Sequence, residues 1–417
     1  MESGIHRAVT RRTALRLFGL GSAAALAAAC QSTAPAAPTT APAKPTEAAK
    51  PAAPGSPAAS PAAKPAASPA ASPAAAAPSV AAVDMAGIAS FDERAVADFY
   101  RGKTVRFVVG YGAGGGYDTY ARVISKFAPK HIPGNPTVIV ENQPGAGSAV
   151  ALSAVYRTLP KDGTVLGIGD GSLALQQIVG APTGEYDASK WQYIGAPSIF
   201  EFMYIASKAQ LAKNGIQKFE DHLGPNGKEM VIGQTGPGIG LTSARVVEVV
   251  AGARMKHVAG YAGTAQIRTA MDGGEVDGFF TSWDSVKVTH PAQIASGEHV
   301  IFMIFPREQI KDLPYKVPSI WDFAKTEEDR QIIRYGAIDT HTIARPYVAA
   351  PEVPKDRIAA LQTAFVKTMQ DPEFLADAAQ LKLDIQPLNG PKLSQIVTEF
   401  FAMPDSIKPK LKELVSL

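Results

Sequence analysis

The residues of this chain best suited to chemistry lie between Thr104 and Ser148, and the chemistry they suit is the holding of an anion. Thr104–Val109 (TVRFVV) is rich in β-branched and aromatic residues and reads as a buried strand. It runs directly into Gly110–Gly116 (GYGAGGG), where glycine permits positive φ and close approach of the backbone to a bound group. Asp118 stands where an N-cap belongs, and Tyr120, Val123, Ile124 and Phe127 recur at i, i+3, i+4 and i+7, which predicts an amphipathic helix. A helix starting at such a loop aims unpaired N–H groups and a partial positive charge at whatever lies in front of it. Val138–Asn142 followed by Gln143–Gly147 (QPGAG) repeats the strand-to-glycine design.

Three loops are expected to converge on a ligand. The first offers Gly112, Ala113, Gly114, Gly115, Gly116 and Asp118. For Asp118 a capping role is favoured over a ligand contact, because a carboxylate repels an anion unless it meets an amino group, a water or a hydroxyl. The second, Gly233–Thr242, is again a glycine turn before an apolar helix, and offers Gln234, Thr235, Gly236, Gly238 and Thr242. The third runs from Tyr261 to Gln266 and offers the Thr264 hydroxyl. Gly147, Ser172, Ser282 and Asp284, each at or just beyond the end of a predicted strand, complete the candidate set. Arg245, Arg268 and Arg345 are available as a charged clamp, although arginines more often lie on solvated helix faces.

Nothing in the chain spells out catalysis. No acid–base pair, metal-ligand spacing or nucleophile signature stands out, and the histidines are scattered singly. Gly110–Gly115 does fit G-x-G-x-x-G between a strand and a helix, so an exported dinucleotide-dependent oxidoreductase is the rival reading. Against it, Glu141 follows the motif by about 30 residues where ~20 is expected of a ribose-binding acid. No G-K-[ST] follows the loop, which excludes a P-loop.

The elements that must position these loops alternate. Predicted strands at 165–169, 191–196, 202–206, 230–233, 256–258, 276–280 and 300–305 are interleaved with amphipathic helices. Such alternation gives α/β lobes with mainly parallel sheets, whose ligands collect at the carboxyl ends of the strands. The chain closes with helices predicted at Lys355–Met369, Pro372–Leu381 and Lys392–Phe401.

The runs VRFVVGYGAGGGYD and VIVENQPGAG resemble the solute-binding receptors of tripartite tricarboxylate transporters, often called Bug-type receptors. The resemblance continues at Pro160–Leu166, Val231–Gly238, Gly260–Thr264, Asp272–Asp277 and Val348–Pro351, so it covers about residues 100 to 400 in order. It implies a two-lobed, periplasmic-binding-protein-like (Venus-flytrap) α/β fold that clamps a small carboxylate and hands it to membrane permease subunits. One departure stands out. Such receptors usually carry several serines and a histidine in the loop after Gly233, whereas this chain has Gln234, Thr235, Ile239, Gly240, Leu241 and Thr242. Backbone N–H groups are then left as the main contacts there.

Residues 1–29 read as a twin-arginine lipoprotein signal, with Arg11-Arg12, an apolar run from Leu17 to Ala29, and Cys30 after small residues. Cys30 is the chain's one cysteine, which excludes disulfides and thiolate catalysis and leaves lipidation as its expected role. Residues 30–90 form an Ala/Pro-rich tether that cannot bury a core and is held extended by its prolines. The expected layout is then 91–198 and 335–417 in lobe 1 and 199–334 in lobe 2. Four arginines and one glutamate lie in residues 1–30, and beyond them 37 basic side chains face 37 acidic ones. So balanced a surface does not fit a nucleic-acid partner. The expectation is a monomeric receptor without a cofactor, exported and lipid-anchored on the outer face of the cell membrane.

Overall fold

The computed structural model describes residues 83–415, so the export signal, Cys30 and most of the expected tether lie outside the described residues. Residues 83–90 are already docked. Val83 is buried, Gln370 donates to its carbonyl at 2.6 Å, and Asn389 donates to the carbonyls of Asp84 and Ala86. The first helix, Glu93–Tyr100, then begins at Asp92, whose side chain accepts from the Ala95 N–H at 3.0 Å.

Eleven strands follow in two sheets among the described residues. The first sheet contains β1 (Thr104–Val109), β2 (Thr137–Asn142), β3 (Val165–Ile168) and β4 (Gln192–Ala196). The second contains β5 (Phe202–Ser207), β6 (Met230–Gln234), β7 (Met255–Ala259), β8 (Gly278–Ser282) and β9 (His299–Ile304). The chain then returns to the first sheet with β10 (Tyr347–Ala349) and β11 (Leu388–Asn389). The spatial orders are β11-β4-β10-β3-β1-β2 and β7-β6-β8-β5-β9.

The sheets are mixed, which corrects the expectation of mainly parallel pairing. β1 pairs in parallel with β2 and β3, and β6 with β7 and β8. The two strands that carry the chain between sheets break this pattern. β5 enters the second sheet antiparallel to both β8 and β9, and β10 re-enters the first antiparallel to both β3 and β4. A strand arriving from the facing lobe runs opposite to strands built by local crossovers, and after the return to the first sheet β11 also pairs antiparallel with β4. All residues of β5 and β10 are buried. β8 also starts two residues later than its sequence suggests, and just before it the Asp277 carboxylate accepts from the Val231 N–H at 2.7 Å.

Apolar packing fixes these layers. Val105, Val109, Tyr120 and Ile124 pack with Leu361, Phe365 and Phe374 beside the first sheet, and Ile267, Met271, Phe279 and Ile301 beside the second. Each such side chain contributes about 1.5–3 kcal/mol when fully buried. Another cluster is continuous from Leu152 and Leu173 through Phe200 and Phe202 to Val247 and Leu411. The two lobes therefore share apolar packing as well as strand crossings. Among the described residues no helix is long and apolar enough to cross a membrane.

Candidate ligand-binding site

The loop after β1 is positioned from three sides. The Gly112 N–H donates to the Ala262 carbonyl at 2.7 Å, which ties this loop to the one after β7 on the other lobe. Gly114 has φ +82°, a left-handed conformation. Gly115 is then the N-cap of the helix Gly116–Phe127. Asp118 is therefore not the N-cap. It is the third helical residue, reaching back to accept from the Gly114 N–H at 3.0 Å and from Asn142 Nδ2 at 2.9 Å while pairing with Arg122 at 2.9 Å. Burial alone would raise its carboxyl, but Arg122, the Gly114 N–H and Asn142 hold it below the ordinary value. Asp118 shapes the loop and does not line the cleft.

Directly beside that helix start lies Arg345, 1% exposed. Its Nη1 pairs with Asp284 at 2.7 Å and donates to the Ser198 hydroxyl at 2.8 Å, and Nη2 reaches Ser282 and Ser285 at 3.3 and 3.4 Å. The guanidinium also lies 4.3 Å from the Tyr120 ring centroid and 4.2 Å from that of Phe200. Burial would raise the Asp284 carboxyl, but Arg345 holds it below its usual value. Arg345 adopts φ +51°, a conformation that an arginine holds only when its surroundings impose it. Nε of Arg345 and the Tyr117 hydroxyl are buried with no hydrogen-bond partner among the described residues.

These groups surround a cleft between the lobes with a free volume of about 50 Å³. From the first lobe it is lined by Gly112, Gly115, Gly116, Tyr111 and Tyr117, together with Arg345. The second lobe contributes Gln234 and Thr235 after β6, Thr264 at the start of the helix Thr264–Asp272, and Thr281, Ser282 and Ser285 around the end of β8. Phe200, Phe202, Phe280, Ile239 and Ile267 form an apolar wall. The loops interlock closely. A Cβ on Gly115 would stand 2.9 Å from Thr264 Oγ1, and one on Gly116 would stand 2.6 Å from Arg345 Nη2.

Of the residues expected from the sequence, Gly112, Gly115, Gly116, Gln234, Thr235, Thr264 and Ser282 come together at this cleft. The others lie apart from its lining. Ala113 and Gly114 are exposed on the outer side of their turn. Gly147 packs against the Pro237 carbonyl, and Gly236 stands near Ala146. Thr242 spends its hydroxyl on the Gly238 carbonyl, 3.1 Å away inside its own helix, and Ser172 is buried at the start of the helix Ser172–Ile178. Gly238 is the N-cap of the helix Ile239–Ala251, and Asp284 lies behind Arg345. Of the three arginines considered, Arg245 pairs with Glu248 and Arg268 donates to the Thr289 carbonyl, which leaves Arg345 alone at the site.

One neighbour had no sequence signal. Asp170, just beyond β3, is fully buried and accepts from the Tyr111 hydroxyl, from the Ser172 N–H at 2.7 Å and from the Ile239 N–H at 3.0 Å. Burial raises its carboxyl against those donors. The acid of one lobe thus sits on a helix start of the other. Glu141, the candidate ribose ligand, is instead held by Arg106 through two bonds of 2.8 and 2.6 Å.

No family model matches the chain. In sequence it is similar to a UPF0065 protein of Bordetella bronchiseptica, 29% identical over 185 residues, covering 44% of this chain and 53% of that protein. A UPF0065 protein of Cupriavidus necator is 42% identical over 86 residues, 21% of this chain and 25% of that one. The matched stretches thus span about a quarter to about a half of those relatives' lengths. Among solved structures, the periplasmic binding protein BugD aligns with a TM-score of 0.58 at 19% identity, covering 76% of this chain and 99% of that one. MatC of Rhodopseudomonas palustris with bound malate aligns at 0.56 and 17% identity, covering 75% and 99%. A second R. palustris protein, with adipate, aligns at 0.56 and 16%, covering 76% and 99%. The fold is that of a two-lobed periplasmic-binding protein. In sequence and fold alike, the chain is similar to the UPF0065, Bug-type solute receptors.

Proposed function

We propose that the protein is an extracytoplasmic solute receptor that captures a small organic carboxylate between its lobes and delivers it to a tripartite tricarboxylate-type permease. The observation that carries this reading is the convergence of the Gly116–Phe127 helix start, the buried Arg345 guanidinium and the Thr264 and Ser285 hydroxyls on one inter-lobe cleft. Unpaired N–H groups at a helix start and a desolvated guanidinium both favour a carboxylate over a neutral group. Lobe closure excludes water and strengthens those bonds without making or breaking a covalent one. The malate and adipate of the two R. palustris neighbours support the same ligand class. In this reading residues 91–198 and 335–417 form one lobe and 199–334 the other. Export through the twin-arginine signal and acylation of Cys30 would hold the receptor at the membrane by its tether.

The oxidoreductase reading loses its ribose-binding acid, because Glu141 is engaged by Arg106 through both carboxylate oxygens. A thermal-shift screen of the purified protein against small carboxylates, with NAD, NADP and FAD as rivals, tests the proposal. A ligand at a hundredfold excess over Kd stabilises by ~2.7 kcal/mol. For a protein of this size that raises the midpoint by roughly 5–10 °C. Shifts with acids alone are expected, and a shift with a dinucleotide and none with any acid would overturn the reading.

A further inference from the structure

The cleft's two long helix starts are not equally available. The N–H groups opening Gly116–Phe127 face the cleft beside Arg345, whereas the Ile239 N–H that opens Ile239–Ala251 already donates to Asp170 at 3.0 Å. Asp170 is held there by the Tyr111 hydroxyl and the Ser172 N–H, fully buried. An internal carboxylate therefore fills the second anion seat. Among the described residues Arg345 is the one cation lining the cleft, and Asp284 already offsets its charge. The unpartnered Nε of Arg345 and hydroxyl of Tyr117 leave donors for one ligand group at that end. Phe200 lies against that guanidinium, and the walls farther on are Phe202, Phe280, Ile239 and Ile267. Gln234, Thr235 and the start of the shorter helix Thr264–Asp272 offer neutral donors that can hold a hydroxyl but bring no cation for a second charge.

We infer that the ligand is a monocarboxylate: one carboxylate seated at the Gly116 helix start beside Arg345, and a short uncharged body against the aromatic wall. A second carboxylate would lie against apolar rings, near the buried Asp170 that stands behind Tyr111 and Ile239 of the lining, with no cation to compensate its desolvation. Like charges set against each other in this way exclude a wrong ligand as effectively as good contacts select the right one. The inference rests on the receptor reading and narrows it.

Calorimetric titration of the wild-type protein with length-matched pairs, pentanoate against glutarate and benzoate against terephthalate, tests it. The monoacid of at least one pair should bind about tenfold or more tightly than its diacid. Diacids binding equally or more tightly would overturn the inference while leaving the receptor reading intact. Binding of neither kind, with a response to a dinucleotide, would sink both. Asp170→Asn keeps an acceptor for Ile239 and Tyr111 but removes the charge, and should narrow the monoacid preference by about tenfold. An unchanged ratio in a folded Asp170→Asn protein would show that Asp170 does not exclude the second charge. Should that variant not fold, the wild-type ratios decide alone.

Discussion

The glycine turn after β1 and the one after β6 are built alike in sequence, yet they end differently. Both follow a buried strand, both place a glycine at the N-cap, and both open an apolar helix of at least 12 residues. The first keeps its helix start facing the cleft, with Arg345 alongside. The second has its leading N–H taken by Asp170 from the opposite lobe. A strand-glycine-helix motif thus specifies where an anion can sit but not whose anion it will be. That second decision is made by residues far away in the chain: Asp170 lies 69 residues from Ile239.

The largest effect should come from breaking the charge pair behind the open seat. Arg345→Met leaves Asp284 buried without its partner, and should destabilise the protein by about 3–5 kcal/mol in urea unfolding. A loss below about 1 kcal/mol would mean that the pair is far less desolvated than its burial implies. Next in size is Gly116→Ala. Its Cβ would press on Ser285 Oγ and on Arg345 Nη2, and overpacking of that kind costs about 1–3 kcal/mol. Ligand affinity should fall by at least about tenfold, because the strain falls on the carboxylate seat. Gly115→Val crowds Thr264 Oγ1 across the lobes, so its effect should appear in binding more than in the stability of either lobe. Equal affinity in calorimetry would reduce the Gly115 turn to a structural role.

Two titratable groups, one buried and one half-buried, sharpen the comparison from outside the turns. His341, bonded to Ser243 at 2.9 Å, is pushed down to about 3 by burial. Its contribution is full above the ordinary value near 6.5 and is lost as pH falls below it. The stability difference between wild type and His341→Asn should therefore shift towards the variant between pH 7 and pH 5. Glu201 is raised to about 7 by burial, with Asp384 adding to the effect, and has the opposite sign. The folded state holds its proton between about 4.5 and 7, so its contribution is lost as pH rises through that window. Glu201→Gln should gain on wild type over the same rise, read from urea midpoints. Parallel pH profiles for wild type and both variants would contradict these assignments.

Local pattern carried much of this into the sequence. The helix Lys355–Met369 falls where its sequence puts it, and seven residues expected at the ligand do line the cleft. What local pattern could not carry was long-range. Arg345 reaches the cleft just before β10, which is threaded between β3 and β4 after the excursion through the second sheet. Its flanking Ala344 and Pro346 say nothing of a ligand. The aromatic wall, Phe200, Phe202 and Phe280, reads in sequence only as ordinary strand core. Asp118 was misplaced for a different reason: Gly115 starts the helix earlier, so the carboxylate falls inside the first turn and caps the loop instead.

The central claim is that one ligand carboxylate is held at the Gly116 helix start beside Arg345. It is tested most directly by calorimetric titration of an acid that binds and of its neutral primary amide. The amide keeps the shape but loses the charge that the N–H groups and guanidinium recognise. Charge-assisted bonds are roughly twice as strong as neutral ones, so the account predicts that amide affinity falls by about a hundredfold or becomes undetectable. An amide that binds as tightly as the acid would contradict it.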